Sequence, residues 1–358
     1  MEEILPGTYI YVRDEGLITA GSVASGIIGI VGTAASGAVN EVQVLGSFSE
    51  AREIFGASDA WQSGRSANTL TRALELVFNN GGKTVLAVRS AGPNVADYKT
   101  ALALLENEIV NIVLLAGQGS DNEGMAAALG DHLKTTEGIR RERIGLIGSG
   151  PGDELAKLTG HDFASDRLIF VAPGIKVSET NRETQTTAQV NLPGAYTAAA
   201  VAGLLASLPV HISPTNKTLS IEGLSAVFSS AQLGQLVQKR VLAVEKREGF
   251  RIVKGITTAT NTAWHQITTR RIVDYALYGV RSACNPYIGK LNNERVRGAM
   301  KATIDGFLTR MVEDEALIGY ELAVSATRQQ EIAGEVRVTI TMQPTFSIDF
   351  IRVTMYLG

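Results

Sequence analysis

The chain has 358 residues, enough for about two to three domains, and its 45% apolar and 19% charged composition supports buried cores and excludes a disordered chain. Its single cysteine, Cys284, excludes an intramolecular disulfide framework and any multi-cysteine metal site. The net charge of −3 hides a segregation: residues 1–236 carry 16 basic and 24 acidic groups, residues 237–310 carry 14 and 5, and residues 311–358 carry 3 and 7. A cationic segment inside an acidic chain implies an anionic partner, whether protein, nucleic acid or membrane.

The opening MEEILPG is acidic and has neither a basic nor an apolar leader region, so no secretory signal is expected. Leu5-Pro6-Gly7 marks a turn, and Thr8, Tyr9, Ile10, Tyr11 and Val12 have strand composition until Asp14-Glu15-Gly16 breaks them. A lone terminal strand cannot satisfy its own backbone, so it must pair with something or stay disordered. Residues 26–32, 42–45 and 84–89 read as strands. Residues 49–56 read as a short helix capped by Ser49 and Gly56, and 69–78 as a second helix. Together residues 18–92 suggest a small β-rich domain, with residues 1–17 as a separate terminal unit.

Residues 93–250 alternate differently. Apolar runs at 109–115, 143–148 and 168–172 are separated by helices at 122–134 and 154–158, and an Ala-rich helix follows at 196–208. Continuous apolar strands alternating with helices mark a parallel α/β sheet. Neither uncharged stretch, 16–40 or 184–216, reads as a membrane span. The first is broken by Gly and Ser, and Pro193 and Pro209 leave the second well short of the ~20 residues a bilayer needs. From 251 to 343 the pattern is helical and then β. A helix over 264–281 aligns Trp264, Ile267, Ile272, Ala276 and Val280, and one over 293–312 aligns Val296, Met300, Ile304, Phe307 and Met311. Val336, Val338, Ile340 and Met342 alternate as a strand, then Phe346, Ile348 and Phe350. The period slips at Ile351 before Val353, Met355 and Leu357, so residues 344–358 read as a terminal strand that changes face.

Little of this pattern carries chemistry. The loop Gly148-Ser149-Gly150-Pro151-Gly152-Asp153 sits between a strand and a helix, as a phosphate cradle would. It lacks the third glycine of that fingerprint, and Pro151 removes an amide donor. His132, His161, His211 and His265 are scattered without metal-ligand spacing, and Asp121, Asp153, Asp162 and Asp166 have no partner motif. No cofactor or metal is expected; an α/β nucleotide-binding enzyme is the alternative to a structural protein. The basic candidates include Arg251, Lys254, Arg270, Arg271, Arg281, Lys290, Arg295, Arg297 and Lys301. Trp264, Tyr275 and Tyr278 suit a packed helix face better than base stacking.

The order of several segments resembles the contractile tail sheath family of phages, R-type bacteriocins and related injection systems. The resemblance rests on Leu5-Pro6-Gly7-Thr8-Tyr9, Gly29-Ile30-Val31-Gly32, Ile54-Phe55-Gly56, Asn79-Asn80-Gly81-Gly82, Ser213-Pro214-Thr215-Asn216, Gly255-Ile256-Thr257-Thr258, residues 264–279, residues 285–293 and Gln343-Pro344-Thr345-Phe346. It implies a multidomain α/β and α+β chain: a small sandwich-like domain over 18–92, a subtilisin-like α/β domain over 93–250 and a C-terminal sheath domain over 251–343. The subtilisin-like domain would lack a triad, since the nucleophile position falls on Ala195.

The resemblance further implies a non-enzymatic subunit that polymerises helically, in stacked hexameric rings, around a tail tube and contracts to drive the tube through a cell envelope. Expected partners are other copies of the chain, the tube protein, and baseplate and tail terminator proteins, without nucleic acid or membrane insertion. Assembly would occur in the bacterial cytoplasm. The strands at Thr8–Val12 and at Ile348, Phe350, Ile351, Val353, Met355 and Leu357 become inter-subunit arms, and the basic candidates face the tube.

Overall fold

The structure, a computed structural model, describes residues 24–58, 68–152, 154–180 and 186–357. The expected N-terminal strand at residues 8–12 lies outside the described residues. The chain divides into an α/β unit, Ala24–Asp274 with Phe346–Gly358, and a C-terminal unit containing Tyr275–Thr345.

The α/β unit begins with β1 (Ile27–Gly32), β2 (Val42–Leu45), α1 (Phe48–Phe55), α2 (Thr69–Asn79), β3 (Thr84–Arg89), α3 (Val95–Leu104), β4 (Ile112–Gly119) and α4 (Glu123–Gly138). It continues with β5 (Ile144–Gly148), α5 (Leu155–Thr159), β6 (Leu168–Ala172), β7 (Ile175–Thr180), β8 (Thr187–Leu192), α6 (Gly194–Ser207), β9 (Thr218–Leu219), β10 (Gly223–Leu224), α7 (Ser230–Gln238), β11 (Val241–Lys246) and β12 (Phe250–Ile252). Nine strands form one sheet in the order β2-β3-β1-β4-β5-β6-β11-β12-β9, and β10-β7-β8 form a second. The strands from β3 to β11 run parallel, with antiparallel β2 at one edge and β12 and β9 at the other.

Both faces of the large sheet are covered at its centre, which is why β5 and β6 are apolar and buried at every position. Ile112 and Leu114 of β4 join a core with α2 and α6, while Val113 and Leu115 point to the opposite core with α3 and α4. Helix α6 is apolar all round because it lies between the sheet and α2. A side chain at Gly203 would overlap the Val77 carbonyl, so glycine there permits the close helix approach.

The sheet corrects the expected sandwich-like domain at 18–92. β1 pairs with both β3 and β4, so these strands extend the parallel sheet instead of closing a separate one. Smaller corrections concern caps. α1 is capped by Ser47, whose hydroxyl accepts from the Glu50 amide, and Trp264 lies in a 3₁₀ turn ahead of the next helix.

The division between the units falls within α8 (Ile267–Cys284). The C-terminal unit then contains α9 (Glu294–Glu313), β13 (Leu317–Ser325), α10 (Arg328–Ala333) and β14 (Arg337–Pro344). Asn293 caps α9, and Met300, Ile304, Phe307 and Met311 are buried as their spacing predicts. The Phe307 ring lies on Gly279, where any side chain would overlap it, and stacks near Tyr275 at 5.8 Å between centroids.

Candidate assembly surfaces

The C-terminal unit carries an incomplete sheet. β13 and β14 pair only with each other among the described residues, placing Tyr320 opposite Met342, Leu322 opposite Ile340 and Val324 opposite Val338. All six are only half-buried, while Glu321, Ala323, Ser325, Thr339 and Thr341 on the other face are exposed. A two-stranded ribbon is marginal in water and gains stability from further strands, and each outer edge presents unpaired backbone groups. Local contacts hold this ribbon in shape. Thr327 caps α10 in a reciprocal box with Gln330, Gly334 closes it at φ 74°, and Arg297 reaches Glu331 at 2.9 Å. The Tyr320 hydroxyl donates to Asp305 at 2.7 Å. Sequence reading missed β13, although alternation at Tyr320, Leu322 and Val324 signalled it.

Of the expected C-terminal arm at 344–358, Pro344 ends β14 and residues 345–357 belong to no strand in the single chain. Phe346, Ile348, Phe350, Ile351, Val353, Met355 and Leu357 are 56–101% exposed. Scattered exposed apolar residues are ordinary, but a run confined to one segment marks an interaction site.

The basic candidates separate by environment. Arg270 and Arg271 are each 5% exposed, which corrects their expected tube-facing role. Arg270 pairs with Asp166 at 2.9 Å and Asp274 at 2.8 Å and stacks over Trp264. Arg271 donates to the carbonyls of Leu208, Pro209 and Ser25, and burial pushes its pKa down to about 10, so it stays charged at neutral pH. Arg167 completes the buried cluster with Asp274 at 2.8 Å. Burial disfavours its charge, but Asp274 and Glu137 outweigh that and raise its pKa.

Arg251 donates to the Arg247 and Asn216 carbonyls, Lys254 pairs with Asp349 at 3.2 Å, and Arg297 is held by Glu331 and Asn292. Arg281 is half-exposed beside Tyr278, Lys290 is exposed over Tyr287, and Arg295 and Lys301 are exposed on α9.

The positions that suggested an enzyme lie in closely packed surroundings. Gly148 is pressed against Gly194 at the start of α6, and a side chain at Gly150 would overlap the Asp121 carboxylate. A carboxylate against the loop repels a phosphate rather than cradling it. Ala195 is buried with only a methyl group to offer. Burial, reinforced by the nearby Arg143 guanidinium, pushes His132 down to about 4. Among the described residues no three His, Cys, Asp or Glu side chains gather as a metal site, and no helix is long and apolar enough to cross a membrane.

Comparison with known proteins agrees on one family. Residues 91–258 match the phage tail sheath protein central domain and residues 259–358 the phage tail sheath C-terminal domain. A tail sheath protein of Bacillus phage SP01 is 25% identical over 253 residues, 67% of this chain; the chain spans 43% of that relative's length. The fold matches the contracted helical sheath of the anti-feeding prophage with a TM-score of 0.76 at 20% identity, over 98% of both chains. It also matches the contracted PVC sheath of an extracellular contractile injection system (TM-score 0.75, 15% identity, 99% of this chain and 98% of that one). A sheath tail protein from Desulfitobacterium hafniense gives 0.66 at 13% identity, over 95% of this chain and 100% of that one.

Proposed function

The chain belongs to the phage tail sheath family, and we propose that it is the repeating subunit of a helical sheath that contracts around a tail tube and drives it through a cell envelope. The observation that carries this reading is a mismatch within one chain: a sheet whose two strands pair only with each other among the described residues, and a terminal segment that exposes its apolar side chains. An extended segment added to a sheet edge forms backbone hydrogen bonds, each contributing ~0.5–1.5 kcal/mol net. Repeated from copy to copy without closing, such contacts build a polymer rather than a ring. In this reading the α/β unit is a subtilisin-like scaffold without a triad, with Ala195 where a nucleophile would stand. Residues 8–12, whose sequence has strand composition, are the second arm in this reading.

Arg281, Lys290, Arg295 and Lys301 are the cationic candidates for an acidic tube surface. Exposed ion pairs of ~0–1 kcal/mol each release readily when a sheath widens. The other partners in this reading are baseplate and tail terminator proteins. Assembly takes place in the bacterial cytoplasm, and the finished sheath forms part of a tail or injection particle.

Deleting residues 351–358 is expected to leave a folded subunit that no longer forms long tubes in electron micrographs. Normal tubes from the truncated chain would overturn the exchange reading.

A further inference from the structure

The terminal segment is not uniform along its length. Its first residues are tied to the α/β unit by polar contacts on one face. The Ser347 amide donates to Gln266 Oε1 at 3.2 Å, while Gln266 Nε2 donates to the Ser347 carbonyl at 3.4 Å and to Asp349 Oδ2 at 3.2 Å. One side-chain amide thus meets both backbone groups of a single residue, as a neighbouring strand would. Lys254 Nζ lies 3.2 Å from Asp349 Oδ2 and 5.2 Å from the centre of the Phe350 ring. The Lys254 and Asp349 side chains are only 19% and 12% exposed, so solvent screens this pair less than a surface one.

Burial alternates along this stretch as side chains on an extended chain would: Ser347 and Asp349 are half-buried against the subunit, Phe346 and Ile348 are exposed, and Phe350 is exposed apart from its contact with Lys254. A slip of one residue would bring Ile348 against Gln266 and Lys254 and turn Asp349 outward, so the polar contacts select one register. Beyond Phe350 the environment changes: Ile351, Val353, Met355, Tyr356 and Leu357 are 75–101% exposed.

We propose that residues 347–350 are a fixed root that stays docked on its own subunit in the polymer, held by Gln266 and Lys254, and that only residues 351–357 are exchanged into a second copy. The inference rests on the sheath reading above and divides the arm that reading treats as one strand. Seven residues suffice for the exchange, since β14 and β13 have eight and nine. The slip in apolar period at Ile351 falls where the root ends. The strand therefore changes face where it passes from its own subunit to the next.

The test locks the root. In a Cys284→Ser background, Gln266→Cys with Ser347→Cys is joined by a short bis-maleimide, and tube formation is compared with the same variant left unjoined. Equal assembly is expected; tubes from the unjoined variant and none from the joined one would overturn the proposal. Separately, Lys254→Ala with Gln266→Ala, which removes the two side chains that make these contacts, is expected to raise the concentration needed for tube formation by about tenfold. The exchanged pair Lys254→Asp with Asp349→Lys should recover part of that loss. An unchanged assembly concentration in the double alanine variant, with native circular dichroism, would overturn the root. Tubes formed after deletion of residues 351–358 would instead overturn the underlying exchange reading.

Discussion

The α/β unit and the C-terminal unit handle their apolar surface in opposite ways. In the first, β4 has Ile112, Val113, Leu114 and Leu115 all buried, alternately in two cores. In the second, the apolar face of β13 and β14 is half-buried throughout, with only Leu317 fully buried. A sheet covered on both faces is complete within its own chain. A ribbon whose two strands pair only with each other among the described residues gains stability from any further strand it receives. The difference teaches that stability and assembly can be assigned to separate parts of one sequence.

The contrast can be broken most severely at the buried charges. Asp274→Ala leaves Arg167 and Arg270 without their shared carboxylate, and is expected to cost ~3–5 kcal/mol in urea unfolding. Substitution in the two sheets should sharpen the comparison. Leu114→Ala in the covered sheet is expected to lose ~2–5 kcal/mol, whereas Leu322→Ala in the open ribbon should lose less in the isolated subunit but shorten or abolish tubes. Equal unfolding costs for the two would remove the distinction.

His132 offers a milder test within the α/β unit. Its folded pKa of about 4 lies below its ordinary value of 6.5, so the unfolded chain binds a proton first as pH falls. Its contribution is therefore complete above 6.5 and is lost progressively between 6.5 and about 4, by at most ~3 kcal/mol. His132→Gln should flatten the pH dependence of stability in that window. The smallest stability effect is expected from reversing the exposed cations. Lys290→Glu with Lys301→Glu should change unfolding by only about 0.5 kcal/mol, yet weaken salt-sensitive retention on an acidic tube protein.

Much of the fold was legible because it depends on local period. The apolar runs of β4, β5 and β6, the Ala-rich α6 and the stripe on α9 can each be read within about twenty residues, without knowledge of their neighbours. The membership of β1 and β3 in the large sheet was not, because parallel pairing joins Ile28 to Ile112 across an interval that carries no pattern of its own. The assembly surfaces were half legible. Alternation identified β14 and the terminal apolar residues, but β13 was missed.

The charge segregation shows the same division. The excess of basic residues in 237–310 was determined by the sequence alone, as were the arm's composition and the slip at Ile351. Which cations remain exposed was decided only by tertiary structure. Arg270 meets Asp166 across 104 positions, and Arg271 meets carbonyls more than 60 positions away. Tertiary structure also placed Gln266 and Lys254 beneath Ser347 and Asp349, dividing a uniform apolar tail into a held part and an exposed part. The physical reason is common to both: residue type and period act between near neighbours, whereas the partner of a charge or a strand is chosen only when distant segments meet.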